Sequence, residues 1–208
     1  MGIISVDQHD AFISYARDDN LLCDDAVRQF RTSLKTRFEA EMRRRLTTSR
    51  EADIFMDWLG LPSNGSLPFE LEKAVESSMF LFVFIGRSYP KSTWCSQELD
   101  AFIRKFHGSR HAALERTFVI VLEKGALYQK WGDALENPER PIYEEFFDDI
   151  TGATIPFVLE SPDGQACYSP RFTRRLKKIV ETMADRAVFL SASYPIETNI
   201  RVVSGLKG

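Results

Sequence analysis

Cysteine is scarce in this 208-residue chain: Cys23, Cys95 and Cys167 stand far apart, are odd in number and form no Cys-x-x-Cys pair. That excludes a disulfide framework and a zinc knuckle, and it suits a reducing compartment such as the cytoplasm. Histidine is equally scarce. His107 and His111 have the spacing of one helical face, but Gly108 interrupts them and no third ligand is nearby, so no metal site is expected. Long hydrophobic runs are missing as well: the longest, Met79 to Ile85, has seven residues. A helix crossing a bilayer needs about 20, so no membrane span is expected. The first residues, Met1 to Val6, lack the basic start and apolar stretch of an export signal, and Val6 stands where a myristoylation pattern wants Ser or Thr.

The eleven glycines never fall into a chemical motif. Without Gly-x-Gly there is no fingerprint to seat a dinucleotide pyrophosphate on a helix N-terminus, so a hydride-transfer Rossmann enzyme is not expected. Without Gly-Lys-Ser or Gly-Lys-Thr there is no phosphate loop, and ATPase and GTPase readings fall away. No Gly-x-Ser-x-Gly elbow marks a serine nucleophile, and no histidine has a neighbour that would mark a cysteine one.

Charge of one sign is also lacking, with a formal net charge of -3. Arg28 to Arg50 carries eight basic and two acidic side chains, and Asp133 to Asp149 seven acidic and one basic. Solvated faces of surface helices account best for both runs, with charge complementarity between neighbouring copies as the alternative. Nucleic-acid binding would want aromatics on the basic face, yet those of the first run lie on its apolar stripe. No nucleic-acid partner is expected.

What is present is a globular composition, 44% hydrophobic and 27% charged. Five segments read as strands: Asp10 to Tyr15, Ala52 to Trp58, Met79 to Ile85, Thr117 to Leu122, and Ile155 to Leu159. Between the first two, Val27, Phe30, Leu34, Phe38 and Met42 recur at helical spacing. Leu67, Leu71, Ala74 and Val75 predict a shorter helix, and Cys95, Leu99, Phe102 and Phe106 a third that begins near Ser92 or Thr93. A last helix follows Pro170, with Phe172, Leu176, Ile179, Val180 and Met183 inward. Alternating strands and helices predict a parallel sheet covered on both faces. Irregular helical turns are expected from Lys124 to Thr154. One domain is expected over residues 1–190, and residues 191–208 read as a tail or linker leading to a further domain.

The first strand lies in DAFISYARDD (Asp10 to Asp19), the second runs into DIFMDWLGLPSNGSL (Asp53 to Leu67), and RSYPKSTWCSQELDAF (Arg87 to Phe102) follows the third. Together, from about residue 8 to 190, these stretches resemble a TIR (Toll/interleukin-1 receptor) domain, in particular its bacterial NAD-cleaving members. The matches are Phe-Ile-Ser-Tyr closing the first strand, a glycine-containing loop and helix leading into an apolar strand, and Trp-Cys-x-x-Glu-Leu. Two departures are a longer insertion between the first two strands and Gly-Ser-Leu-Pro-Phe after the second.

The resemblance implies a flavodoxin-like doubly wound sheet of order 2-1-3-4-5, with a ligand crevice at the carboxyl ends of the first and third strands. It implies Glu98 as the catalytic residue. Phe12, Ser14, Tyr15, Asp57, Trp58, Leu61, Trp94 and Cys95 would line or border the substrate. That substrate would be NAD+, split into nicotinamide and either ADP-ribose or a cyclic isomer, with no cofactor and no metal. It further implies self-association through the loop around Leu61 to Gly65, a C-terminal sensor domain or upstream partner, and a setting in bacterial anti-phage defence. The alternative from another class is a signalling adaptor that self-associates without chemistry. A nucleoside deoxyribosyltransferase is a third reading.

Overall fold

A computed structural model describes residues 7–22, 25–46, 50–57, 68–125, 141–155, 157–160 and 166–193. Its main sheet holds β1 (His9–Tyr15), β2 (Ile54–Met56), β3 (Ser78–Ile85), β4 (Thr117–Val121) and β5 (Ile142–Glu145). All neighbours pair in parallel, in the order β2-β1-β3-β4-β5. Helices α1 (Arg17–Leu22) and α2 (Ala26–Leu46) connect β1 to β2, and α3 (Phe69–Glu76) precedes β3. Helices α4 (Thr93–Lys105) and α5 (Arg110–Leu114) connect β3 to β4, and α6 (Pro170–Ser193) is the last element among the described residues. This is the flavodoxin-like doubly wound fold.

Side-chain alternation in the strands divides the core between two faces. On one, Ala11, Ile13, Phe80, Phe82, Phe84, Phe118 and Ile120 meet Phe30, Leu34 and Phe38 of α2 and Phe172, Leu176 and Ile179 of α6. On the other, Phe12, Leu81, Val83, Ile85, Val119 and Val121 meet Leu71 and Val75 of α3 and Cys95, Leu99 and Phe102 of α4. Every residue of β3 is buried, which explains its apolar run from Met79 to Ile85. The central Phe30 packs edge-on against Phe84, with ring centroids 4.9 Å apart. Each such ring contributes about 1.5–3 kcal/mol through burial.

The fifth strand is a correction to the sequence expectation. It is Ile142–Glu145, inside the segment read as irregular helical turns, whereas the expected Ile155 to Leu159 contributes only to β6 (Val158–Glu160). That strand pairs antiparallel with β7 (Ala166–Tyr168) in a separate two-stranded sheet. The physical reason is edge position: a strand with one neighbour tolerates the charged sequence Ile-Tyr-Glu-Glu, and its Glu144 is paired with Lys178 of α6.

The basic run on α2 is largely engaged within the chain. Lys35 and Arg43 lie near Glu39, Arg44 and Arg45 reach Glu41, and Arg31 donates to the Ile54 carbonyl at 2.8 Å. Hydrogen bonds from Arg44 and Arg45 hold the Glu41 carboxyl down at about 2. The solvated-face reading of this helix accounts for these pairs.

Candidate active site

The connections after β1 and β3 leave on opposite faces of the sheet, so the gap between their carboxyl ends is a topological switch point. Alternation along β1 turns Phe12 toward the α4 face, and Ser14, two residues on, follows it. Helix α4 starts where Ser92 caps it, the Ser92 hydroxyl accepting from the Cys95 N–H at 3.3 Å. From that start Cys95, Glu98, Leu99 and Phe102 fall on the buried stripe. Glu98 is therefore carried under the sheet end with the apolar residues.

There it meets Ser14, whose hydroxyl donates to Glu98 Oε2 at 2.5 Å. Ser14 Oγ also lies 2.9 Å from the Tyr89 hydroxyl. Glu98 is only 6% exposed, and burial, with a smaller push from the Asp57 charge, raises its carboxyl to about 8 against the Ser14 hydrogen bond. The cations of the same helix are committed elsewhere. Arg104 pairs with Glu72, while Lys105 Nζ donates to Asp7 Oδ1 and to the Ser78 carbonyl, each at 2.6 Å. Glu98 is thus a buried acid held by a hydroxyl, and it is not one half of a surface salt bridge with either of them.

The other expected residues divide. Trp94 is half-buried against the cluster that contains Phe12 and Leu99, one helical turn before Glu98. Phe12 is fully buried and stacks on Phe55 with centroids 5.5 Å apart, so it supports the site from beneath. Cys95 is buried too, and desolvation followed by the nearby Glu98 charge pushes its thiol upward, as suits a packing residue. Tyr15 packs toward the opposite face, against the cluster of α2 and α6, and its hydroxyl donates to the Asp57 carbonyl at 2.6 Å. Burial and then Asp57 push that phenol up to about 12. Tyr15 therefore fastens the end of β1 to the end of β2. Trp58 and Leu61 lie outside the described residues, as does the loop around them.

Two residues that the sequence reading did not single out complete the arrangement. Tyr89, in the short 3-10 turn Tyr89–Lys91, is 1% exposed and reaches Ser14. Asp19 of α1 is 2% exposed, and its carboxylate accepts from the Ser88 and Tyr89 N–H groups at 2.8 and 2.9 Å. Gly86 makes room for it, since a Cβ there would fall 2.4 Å from Asp19 Cγ. The available signals were a glycine directly after the apolar run Met79 to Ile85 and an aspartate four residues beyond the end of β1.

Among the described residues there is no group of three or more His, Cys, Asp or Glu that could hold a metal ion. Nor is any helix there long and apolar enough to cross a membrane. No model of a known protein family matches the chain, and no curated protein matches it. Among solved structures, it is similar to the TIR domains of the activated Roq1 resistosome that directly recognises the pathogen effector XopQ. That similarity has 22% identity over 55% of this chain and 57% of that one, with a TM-score of 0.34. The chain thus spans a little over half the length of that resistosome chain. It is also similar to FerB, a flavoenzyme NAD(P)H:(acceptor) oxidoreductase from Paracoccus denitrificans, at 10% identity over 86% of this chain and 96% of that one, with a TM-score of 0.41. Similarities of this size bear on neither activity nor substrate.

Proposed function

We propose that this chain is a TIR-type domain that cleaves the bond between nicotinamide and ribose in NAD+, with Glu98 as the catalytic residue. The observation that carries the proposal is the buried Glu98 carboxyl, bonded to Ser14 at 2.5 Å, at the carboxyl edge of the switch point and one turn from the half-buried Trp94. The three motif stretches and the sheet order support the same reading. Ordinary glycosidases need a second carboxyl to protonate the leaving oxygen. Nicotinamide in NAD+ is already a pyridinium cation: the C–N bond breaks with its electron pair going to nitrogen, and the ring departs neutral. One carboxylate is therefore sufficient. The indole of Trp94 offers a face for a cationic ring, and Glu98 offers oxygens to the ribose hydroxyls.

A carboxyl raised to about 8 is mostly protonated at neutral pH, whereas cleavage needs the ionised form. The substrate supplies the missing influence. A pyridinium brought beside Glu98 is an opposite charge within the same partly dry site, and it draws the carboxyl back toward ionisation. Glu98 then faces the positive charge that develops on the ribose, an interaction strongest in the transition state. Capture by water, with loss of a proton, yields ADP-ribose; capture by the adenine or a ribose hydroxyl yields a cyclic product.

The second reading, a self-associating adaptor without chemistry, is favoured by exposed apolar side chains: Leu21 on α1 at 70%, Phe69 at the start of α3 at 74%, and Ile150 after β5 at 93%. In either reading, assembly with other copies and a signal from a sensor domain or upstream partner set when the domain acts, in the bacterial defence setting that the motifs suggest.

The test is nicotinamide release from NAD+ by the full chain at high concentration with a crowding agent, beside Glu98→Gln. The expected result is release by the wild type, reduced by about 100-fold or more in the variant, with assembly unchanged by light scattering. Equal release from both, or none from assembled wild type, overturns the proposal, and the second outcome leaves the adaptor.

A further inference from the structure

We propose that Tyr89 is a positioning residue for Glu98 that acts through Ser14. Its hydroxyl, 2.9 Å from Ser14 Oγ, fixes where the Ser14 proton points and so holds the carboxylate, 2.5 Å from the same Oγ, in one orientation at the crevice. A serine hydroxyl has one proton to donate and two lone pairs with which to accept. When Glu98 is ionised, Ser14 spends its proton on Oε2, and the proton in the Tyr89 contact is the phenol's. Both links then point toward the carboxylate. Hydrogen bonds aligned in a chain strengthen one another, most of all when the chain ends on a charge.

The chain is built to hold its place. Tyr89 is fully buried, and its turn is clamped from the other side by Asp19, which accepts from two successive N–H groups over Gly86. Three separate segments, the end of β1, the turn after β3 and α4, thus converge on one hydroxyl. The groups that act on Glu98 come from two strands, Ser14 from β1 and Asp57 from the end of β2. The Glu98 charge in turn acts on Tyr15 of β1 and on Cys95 of its own helix, which Asp19 also reaches by charge. Asp57 opposes ionisation of Glu98 and the Ser14 hydroxyl supports it. Cutting the link behind Ser14 weakens that support, so loss of the Tyr89 hydroxyl makes Glu98 harder to ionise.

This inference rests on Glu98 as the working carboxylate, and its test needs no turnover. Carbon-13 glutamate is introduced into the full chain, the Glu98 carboxyl signal is assigned by its absence in Glu98→Gln, and it is titrated in wild type, Tyr89→Phe, Ser14→Ala and the double variant. Tyr89→Phe keeps the buried ring. Its expected effect is an upward shift of the Glu98 midpoint by about half a pH unit, a threefold change in ionisation. Ser14→Ala shifts the midpoint further in the same direction, and Tyr89→Phe adds nothing on top of it. An unmoved midpoint in Tyr89→Phe, or the same shift with and without Ser14, overturns the proposal. Nicotinamide release, measured on the same samples, reports separately on the cleavage reading.

Discussion

Helix α4 carries a buried and a half-buried ionisable side chain two turns apart, and their surroundings differ. Lys105, at the amino-terminal end of the sheet, is desolvated but meets Asp7 and the Ser78 carbonyl at 2.6 Å each. Glu98, at the carboxyl end, is more deeply buried and meets a serine hydroxyl. The first arrangement supplies a charge with its counter-charge and fastens the helix to the start of β3. The second leaves a carboxyl that favours its neutral form until something positive arrives. One end of α4 is arranged for stability, and under the proposed function the other holds a charge requirement for the substrate to meet.

The largest effect expected from this contrast concerns stability against pH. Glu98 titrates near 8 in the folded chain against an ordinary value of 4.5. The folded state therefore holds this proton more tightly than the unfolded state does. Its contribution is fully present below pH 4.5 and is lost as pH rises through 8. Glutamine has no proton to lose, so Glu98→Gln should gain on the wild type across that window. The gap should widen by at most about 1.4 kcal/mol per pH unit and then level off. Urea unfolding of both proteins from about pH 5 to about pH 9 reads this directly. A constant gap would mean that the carboxyl is not protonated by its burial.

A smaller effect is expected at the other end. Lys105→Met keeps the stem but removes the counter-charge from Asp7, at a cost of about 2 kcal/mol because the pair is only partly desolvated. Unfolding measures that loss, and nicotinamide release per folded molecule should be unchanged. A variant that keeps its stability and loses its activity would contradict the division of labour between the two ends.

The sequence was most legible where periodicity and burial coincide. The helical recurrence from Val27 to Met42 and the unbroken Met79 to Ile85 run both fall on buried elements, and Ser92 caps α4. The Trp-Cys-x-x-Glu-Leu and Phe-Ile-Ser-Tyr stretches are brought together as the Ser14 to Glu98 contact, across 84 positions of sequence. Less legible was anything decided by tertiary position alone. Ile142–Glu145 lacks an apolar run because an edge strand does not need one, and α1 and α5, with six and five residues, are too short for a period to show. Tyr15, which the resemblance places beside Ser14, turns to the other face of the sheet, because adjacent residues of a strand face opposite ways. Tyr89 and Asp19 are not legible in the sequence because each acts through one long-range bond or a pair of backbone contacts, which leave no pattern in the chain.

The most direct measurement is the pH dependence of nicotinamide release by wild type, separated into kcat/KM and kcat. The former reports the free enzyme and the latter the substrate complex. The account predicts that kcat/KM climbs with pH to a plateau with its midpoint near 8, where the empty site releases the Glu98 proton. It predicts that the kcat midpoint lies lower, because the bound pyridinium assists that release. A kcat/KM profile that is flat through this range, or that falls as pH rises, would contradict a mechanism carried by the ionised Glu98 carboxylate.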